Sequence, residues 1–168
     1  MKIINILDKS QLQQVNNLLK KIDFEDGEKS AKGHAKNVKN NEEAKAQGDA
    51  FLEVSEYVKN ILRENDWLKR RYLPKKFSKP IINKYKVGSS YGRHFDASHM
   101  HNKTGSFKKD FSYTLMLSEA SDYEGGELVI EAGNMTHKVK LGAGDMFVYP
   151  SMYIHNVLPV SEGQRIAF

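Results

Sequence analysis

The sequence predicts an α+β fold, with N-terminal helices packed on one sheet of an eight-stranded jelly roll or barrel. Three observations lead there. Apolar side chains recur at three- and four-residue spacing as far as Asn65, the period of a helix with one buried face. From Ile81 onward the pattern changes to short alternating runs divided by glycine-rich turns, the mark of half-buried strands. The helical segments all precede the strand segments, an order that stacks helices on the outside of one sheet.

The first helix is predicted over Asp8–Ile22, with Leu12, Val15, Leu18, Leu19 and Ile22 as its buried stripe and Asp8 or Ser10 as the cap. Phe24 to Asn40 is polar and rich in Lys, Gly and Asp, so it reads as irregular. A second helix is predicted over about Asn41–Asn65, buried through Phe51, Val54, Tyr57, Val58, Ile61 and Leu62, with Gly48 weakening its first half. Pro74 and Pro80 bracket a basic connection into the strands. The predicted strands are Ile81–Val87, Tyr91–Asp96, Phe111–Leu117, Glu127–Ala132, Met135–Leu141, Asp145–Tyr149, Met152–Pro159 and Arg165–Phe168. Eight short strands at this spacing suit a double-sheet jelly roll. The chain reads as one domain, 1–168, with 1–80 as mainly helical support and 81–168 as the core.

At 168 residues one domain can bury a substantial core. No apolar run approaches the length of a membrane span, and the N-terminus has no small-residue cleavage site, so no signal peptide is read. The chain has no cysteine, which removes disulfides, zinc ribbons and thiol nucleophiles and fits a cytoplasmic location. The net charge is +5. Lys69, Arg70, Arg71, Lys75, Lys76, Lys79, Lys84 and Lys86 carry much of it. Such a stretch suits an acidic partner, or is simply a solvated strand-loop segment. No zinc finger or RNP-like motif accompanies it, so nucleic acid is not the expected ligand.

The residues that carry chemistry lie among the strands. His94 and Asp96, in Tyr91-Gly92-Arg93-His94-Phe95-Asp96, are one residue apart and leave an extended strand on the same face. An imidazole and a carboxylate side by side are two thirds of a facial metal triad. His155, on a late strand, is the best candidate for the third ligand, since a jelly roll brings early and late strands together. Two histidines and one carboxylate leave open positions on an octahedral ion, the arrangement used by non-haem Fe(II) oxygenases. Arg165 follows in the apolar run Arg165-Ile166-Ala167-Phe168. There a guanidinium can hold a dicarboxylate by a bidentate fork, the alternative being a surface arginine beside the turn Glu162-Gly163-Gln164.

Tyr85 either hydrogen-bonds a co-substrate or packs in the strand. Thr114 and Met116 share one face of their strand and Tyr113, Leu115 and Leu117 the other, and the pattern alone leaves open which face is inward. His99 and His101 form a competing His-Met-His pair, inside a segment, Ala97–Phe107, that reads as a mobile loop, with substrate contact as one role open to it. His34 and His137 read as solvent-facing.

Several ordered motifs carry a resemblance across most of the chain. Asp26-Gly27 with Val38-Lys39-Asn40-Asn41, then Tyr91 to Asp96, then Asp122-Tyr123-Glu124-Gly125-Gly126-Glu127-Leu128 follow in turn. Lys140-Leu141-Gly142-Ala143-Gly144-Asp145 through Tyr149-Pro150-Ser151 comes next, and His155 to Arg165 closes the series with Pro159-Val160 and Gly163. Together they resemble the PKHD-type hydroxylases, a prolyl-4-hydroxylase-like branch of the Fe(II)- and 2-oxoglutarate-dependent dioxygenases. The resemblance implies a double-stranded β-helix, a form of jelly roll. It also implies Fe(II) on His94, Asp96 and His155, 2-oxoglutarate with its distal carboxylate on Arg165, O₂ as co-substrate, and ascorbate as a candidate auxiliary. Its branch favours a prolyl or other peptidyl substrate. Two features depart: Ala97-Ser98 stand where the family tends to have Asn-Ala, and the family continues past the arginine strand, where a lid or dimer element would lie. Both bear on the substrate more than on the cofactors.

The reading that follows is a dioxygenase that hydroxylates an unidentified substrate and releases succinate and CO₂. Two rivals remain at this point. One is a non-catalytic jelly-roll module that binds a ligand in the same pocket. The other is a cupin-type metal enzyme that uses His99 and His101 without 2-oxoglutarate.

Overall fold

The computed structural model describes residues 2–97, 99–102 and 105–168, without the side chains of Lys2, Met100, His101 and Asn102. Strand β1 (Lys2–Asn5) precedes helix α1 (Lys9–Leu19). The helix starts at Asp8, whose carboxylate accepts from the Gln11 backbone N–H at 2.8 Å while the Asp8 N–H donates to the Gln11 side chain at 3.0 Å, a reciprocal capping box. Val15, Leu18 and Leu19 form its buried stripe, as the spacing predicts.

The polar stretch after it is more ordered than its composition suggests. It holds β2 (Phe24–Asp26), a 3-10 turn at Gly27–Ser30, the one-turn helix α2 (His34–Asn37) and β3 (Lys39–Asn40). The second predicted helix is shorter than expected, because its first residues form β4 (Glu42–Ala44) and α3 covers only Asp49–Glu64. Glu42 and Glu43 pair with strands on both sides, and Gly48 at φ 85° is a break that the helix cannot cross. Helix α4 (Asp66–Tyr72) follows, capped by Asn65, whose side chain accepts from the Leu68 N–H at 3.0 Å. Lys69, Arg70 and Arg71 therefore sit in a last helical turn rather than in a strand-loop segment, where the negative end of the helix favours cations.

The remaining strands are β5 (Asn83–Tyr85), β6 (Ser90–His94), β7 (His99–Asn102), β8 (Gly105–Lys108), β9 (Phe111–Leu115) and β10 (Tyr123–Gly125). They continue as β11 (Leu128–Ala132), β12 (Met135–Val139), β13 (Asp145–Pro150), β14 (Ile154–Val157), β15 (Val160–Gly163) and β16 (Arg165–Ala167). Each of the eight predicted runs contains a strand. The expected loop Ala97–Phe107 instead carries the hairpin β7–β8, with His99 opposite Lys108.

One sheet has the order β12-β11-β14-β6-β3. The other joins β1-β13-β9 to β16-β5-β4-β2 through a bridge between Met116 and Ala167. The two layers form a double-stranded β-helix, and β1, β3 and β4 bring the N-terminal half into both. Side chains on β13 alternate between two cores. Met146 and Val148 pack with Val54, Val58 and Leu62 of α3 on the outside. Phe147 and Tyr149 face the interior with Met116, Ile130 and Val160. Because Leu115 and Leu117 belong to the outer core and Met116 to the inner one, the face carrying Ser112, Thr114 and Met116 points inward.

One turn can be tested for stability. Gly163 lies at φ 71°, and a Cβ there would stand 2.0 Å from the Asp122 carbonyl oxygen, where β15 pairs with β10. Gly163→Ala is expected to lose roughly 3 kcal/mol, a Tm drop of roughly 6–12 °C. A thermal melt within a degree or two of wild type would contradict the strain.

Candidate metal centre

The register of β6 and β14 assembles the first two ligands. His94 and His155 are directly opposite in this antiparallel pair, so their side chains leave on one face. Their rings lie 4.3 Å apart between centroids. Asp96, two residues past His94, keeps the same face as the strand ends. One ligand atom from each of His94, Asp96 and His155 falls within 4.8 Å of the other two. Among the described residues this is the one cluster of at least three His, Cys, Asp or Glu groups close enough to hold an ion.

Tautomer and orientation are fixed by the backbone. His94 Nδ1 lies 2.8 Å from the Gly92 carbonyl oxygen and His155 Nδ1 lies 3.0 Å from that of Tyr153. A carbonyl only accepts, so each Nδ1 carries the proton and each Nε2 keeps a lone pair for a metal. The donor set, two neutral imidazoles and a carboxylate, fits Fe(II).

Asp96 is held by a residue that sequence reasoning missed. Ser112 donates to one Asp96 carboxylate oxygen, and the Ser112 hydroxyl lies 2.9 Å from that of Ser151. Ser112 has a single proton, so the relay runs Ser151 to Ser112 to Asp96. Ser151 is fully buried. The other carboxylate oxygen stays available to an ion. A serine in Phe111-Ser112-Tyr113 carries no sequence signal for this role, because the contact spans 16 positions.

The imidazoles are clamped by rings. Tyr91 stacks on His94 at 3.6 Å between centroids and 13° between planes, and Tyr149 meets His155 edge-on at 5.1 Å. Burial, together with the Asp96 and Glu43 carboxylates, pushes the Tyr91 phenol up to about 12, so it stays neutral. On the far side of the site, Lys39 and Glu43 form a buried ion pair, and the Lys39 ammonium lies 5.1 Å from the Tyr91 ring centre. The segment Val38 to Asn41, notable in sequence only as a motif, thus backs the ring that backs His94.

Burial, then the charge of His155, lowers the His94 pKa to about 4. The sign follows from linkage. The unfolded imidazole takes up its proton below about 6.5 while the folded one resists until about 4. Metal-free protein is therefore expected to lose stability as pH falls from about 6.5 to 4, by on the order of 3 kcal/mol, and to level off below that. Urea melts of metal-free wild type and His94→Gln across that range check it; parallel pH profiles would refute it.

Arg165 and Tyr85 are partners in the β16–β5 register. Arg165 is only 3% exposed, and its guanidinium carbon sits 5.0 Å over the Tyr85 ring centre. None of the ion pairs among the described residues includes Arg165. A buried cation without a carboxylate partner calls for an anion. Gly126 makes room for it, since a Cβ there would come within 3.2 Å of Arg165 Cδ. Tyr149 links the two halves of the cavity: its phenol is pushed up by burial and by Asp96, and it also lies within electrostatic reach of Tyr85 and Arg165.

The other histidines fall elsewhere. His99 is on β7 with an exposed side chain, and the side chain of His101 lies outside the described residues. His34 is exposed, whereas His137, expected in solvent, is half-buried with its Nε2 enclosed and unbonded. Among the described residues no helix is long and apolar enough to cross a membrane.

Comparison with known proteins agrees with this geometry. The family model described as the 2OG-Fe(II) oxygenase superfamily matches residues 80–168. A PKHD-type hydroxylase of Gloeothece citriformis is 37% identical over 161 residues, 96% of this chain and 72% of that protein. Another PKHD-type hydroxylase, from Aliarcobacter butzleri, is 38% identical over 166 residues, covering 98% and 74%. Among solved structures, a 2OG-Fe(II) oxygenase family oxidoreductase from Burkholderia pseudomallei superposes with a TM-score of 0.69 at 19% identity, covering 96% of this chain and 77% of that one. A Trichoplax adhaerens prolyl hydroxylase, solved with a hypoxia inducible factor peptide fragment, gives 0.65 at 24% identity, covering 99% and 80%.

Proposed function

The chain belongs to the 2OG-Fe(II) oxygenase superfamily, and on that premise we propose that His94, Asp96 and His155 hold its Fe(II), while Arg165, with Tyr85 beside it, holds 2-oxoglutarate. The enzyme is a 2-oxoglutarate-dependent hydroxylase that uses Fe(II), 2-oxoglutarate and O₂. The observation that supports the residue assignment most directly is the two-histidine, one-carboxylate cluster within 4.8 Å.

When bound, Fe(II) and 2-oxoglutarate would supply the activation of O₂, one oxygen atom ending in succinate as CO₂ is lost and the other in the hydroxylated substrate. The chain supplies everything else. The Gly92 and Tyr153 carbonyls hold the imidazole protons at Nδ1. Ser112 holds one oxygen of Asp96 and so orients the other. Tyr91 and Tyr149 fix the ring planes, and Met116, Ile130 and Phe147 exclude water from the interior. Arg165 offers a planar double donor to the distal carboxylate, and Tyr85 supports the guanidinium by cation–π contact.

The proposal extends to a prolyl or other peptidyl residue as substrate, supported by the fold shared with a prolyl hydroxylase solved with a peptide. It also takes residues 1–168 as one domain, with 1–80 supporting the core, and places it in the cytoplasm, where Fe(II) and 2-oxoglutarate are both present. The test of the site is anaerobic titration of 2-oxoglutarate into Fe(II)-loaded protein. A weak visible metal-to-ligand charge-transfer band is expected; its absence in folded, iron-loaded protein would overturn the assignment.

A further inference from the structure

A second concavity, of about 420 Å³, lies outside the jelly-roll interior, within the size range of binding clefts. Leu62, Leu68, Met146 and Val148 lie beneath it, buried in the outer core, and its open apolar surface comes from Leu73 and Phe111. It runs along the outer face of β9, whose inner face carries Ser112, the residue that holds Asp96. One wall is the segment Leu73–Ser78 after α4, and the other is the base of the β7–β8 hairpin with the start of β9.

Three features mark this groove. Leu73 stands at its edge 78% exposed and in the left-handed region, at φ 45° and ψ 52°, a conformation unfavourable for leucine. Phe111, 47% exposed, packs edge-to-face on Tyr72 at 4.7 Å. Lys75, Lys76, Lys108 and Lys109 line the groove with Asp110 as the one acid. Lys108 reaches Asp110 at 3.7 Å and Lys76 lies over the Phe107 ring at 4.5 Å. Lys75 and Lys109 take part in none of the ion pairs among the described residues.

We propose that this groove docks an acidic peptide segment bearing bulky apolar side chains, and that it delivers the substrate protein to the neighbouring metal centre. The exposed Leu73 and Phe111 meet the apolar side chains, and the lysines meet the carboxylates around them. Nucleic acid fits the same charge but not the same apolar surface. Stacked bases need successive open aromatic faces, whereas Tyr72 and Phe111 pack on each other with planes at 62° and Lys76 lies over the Phe107 ring. The delivery role rests on the peptidyl-hydroxylase reading above; the docking does not.

Fluorescence anisotropy with metal-free protein tests the docking alone. The probe is a short labelled peptide of Asp and Glu interrupted by one Leu and one Phe. Its controls are the same peptide with Ser for Leu and Phe, a Lys-for-acid version, and a single-stranded oligothymidylate. The acidic apolar peptide is expected to bind at least about tenfold more tightly than each control, weakening with salt. The K75E/K109E double variant and Leu73→Ser are each expected to lose about tenfold of that affinity. The charge-transfer band with Fe(II) and 2-oxoglutarate should be unchanged in both, so failure of the groove and failure of the metal site read out separately. Equal binding of a control peptide, unchanged affinity in the double variant, or preference for the oligonucleotide would overturn the proposal.

Discussion

Purified Asp96→Ala protein is expected to take up no Fe(II) at concentrations that saturate wild type, and to release no succinate from 2-oxoglutarate. The carboxylate is the only anionic ligand in the cluster, so its loss removes both a bond and the charge that offsets the cation. Two neutral imidazoles alone hold Fe(II) weakly, and an affinity loss above about 100-fold follows, since even residues that merely orient ligands are worth about 10- to 100-fold. Ser112→Ala is the graded comparison. It keeps all three ligands but frees the carboxylate to rotate, and it should cost about tenfold in metal affinity. Anaerobic calorimetry with Fe(II), alongside a succinate assay, separates the two variants. Near-wild-type turnover in Asp96→Ala would remove the residue from the centre, and an Asp96→Ala-sized loss in Ser112→Ala would mean that the serine does more than orient.

How far the sequence alone reaches is clear from these two residues. His94 and Asp96 announce themselves because the strand period puts i and i+2 on one face, and His155 joins them because closing the jelly roll sets it opposite His94. Ser112 gives no such sign, since its meaning depends on β9 passing beside the end of β6. The same holds at larger scale. A short apolar run that follows a glycine turn, such as Asp145 to Tyr149, folds as its pattern dictates. The polar stretch Phe24 to Asn40 looks irregular, and Glu42 to Ala44 looks like the start of a helix, because the strands there are two or three residues long. Their order comes from pairing across the chain, Glu42 with Lys84 and Lys39 with Tyr91. Local periodicity cannot register partners that far away. The missed hairpin β7–β8 has the same cause: Ser, Asn, Lys, Thr and Gly read as a loop, while antiparallel pairing of His99 with Lys108 makes strands of them.

Arg165→Ala is expected to weaken 2-oxoglutarate binding by about 100-fold or more while leaving Fe(II) affinity within a few-fold of wild type. A buried, hydrogen-bonded charge pair loses about 2–5 kcal/mol when one member is truncated, and Arg165 has no carboxylate of its own within the described ion pairs to fall back on. Arg165→Lys should fall between the two, because an ammonium keeps the charge but not the planar fork. Stability supplies an independent reading. Without ligand, the wild type carries a buried cation facing an empty anion site, so Arg165→Ala should melt no lower than wild type. With 2-oxoglutarate and a redox-inert divalent metal, the wild type should gain several degrees and the variant almost none. Unchanged 2-oxoglutarate affinity in Arg165→Ala would refute the assignment. A ligand-free variant that melts far lower would instead make Arg165 a structural residue, tied to Tyr85 for packing rather than for the co-substrate.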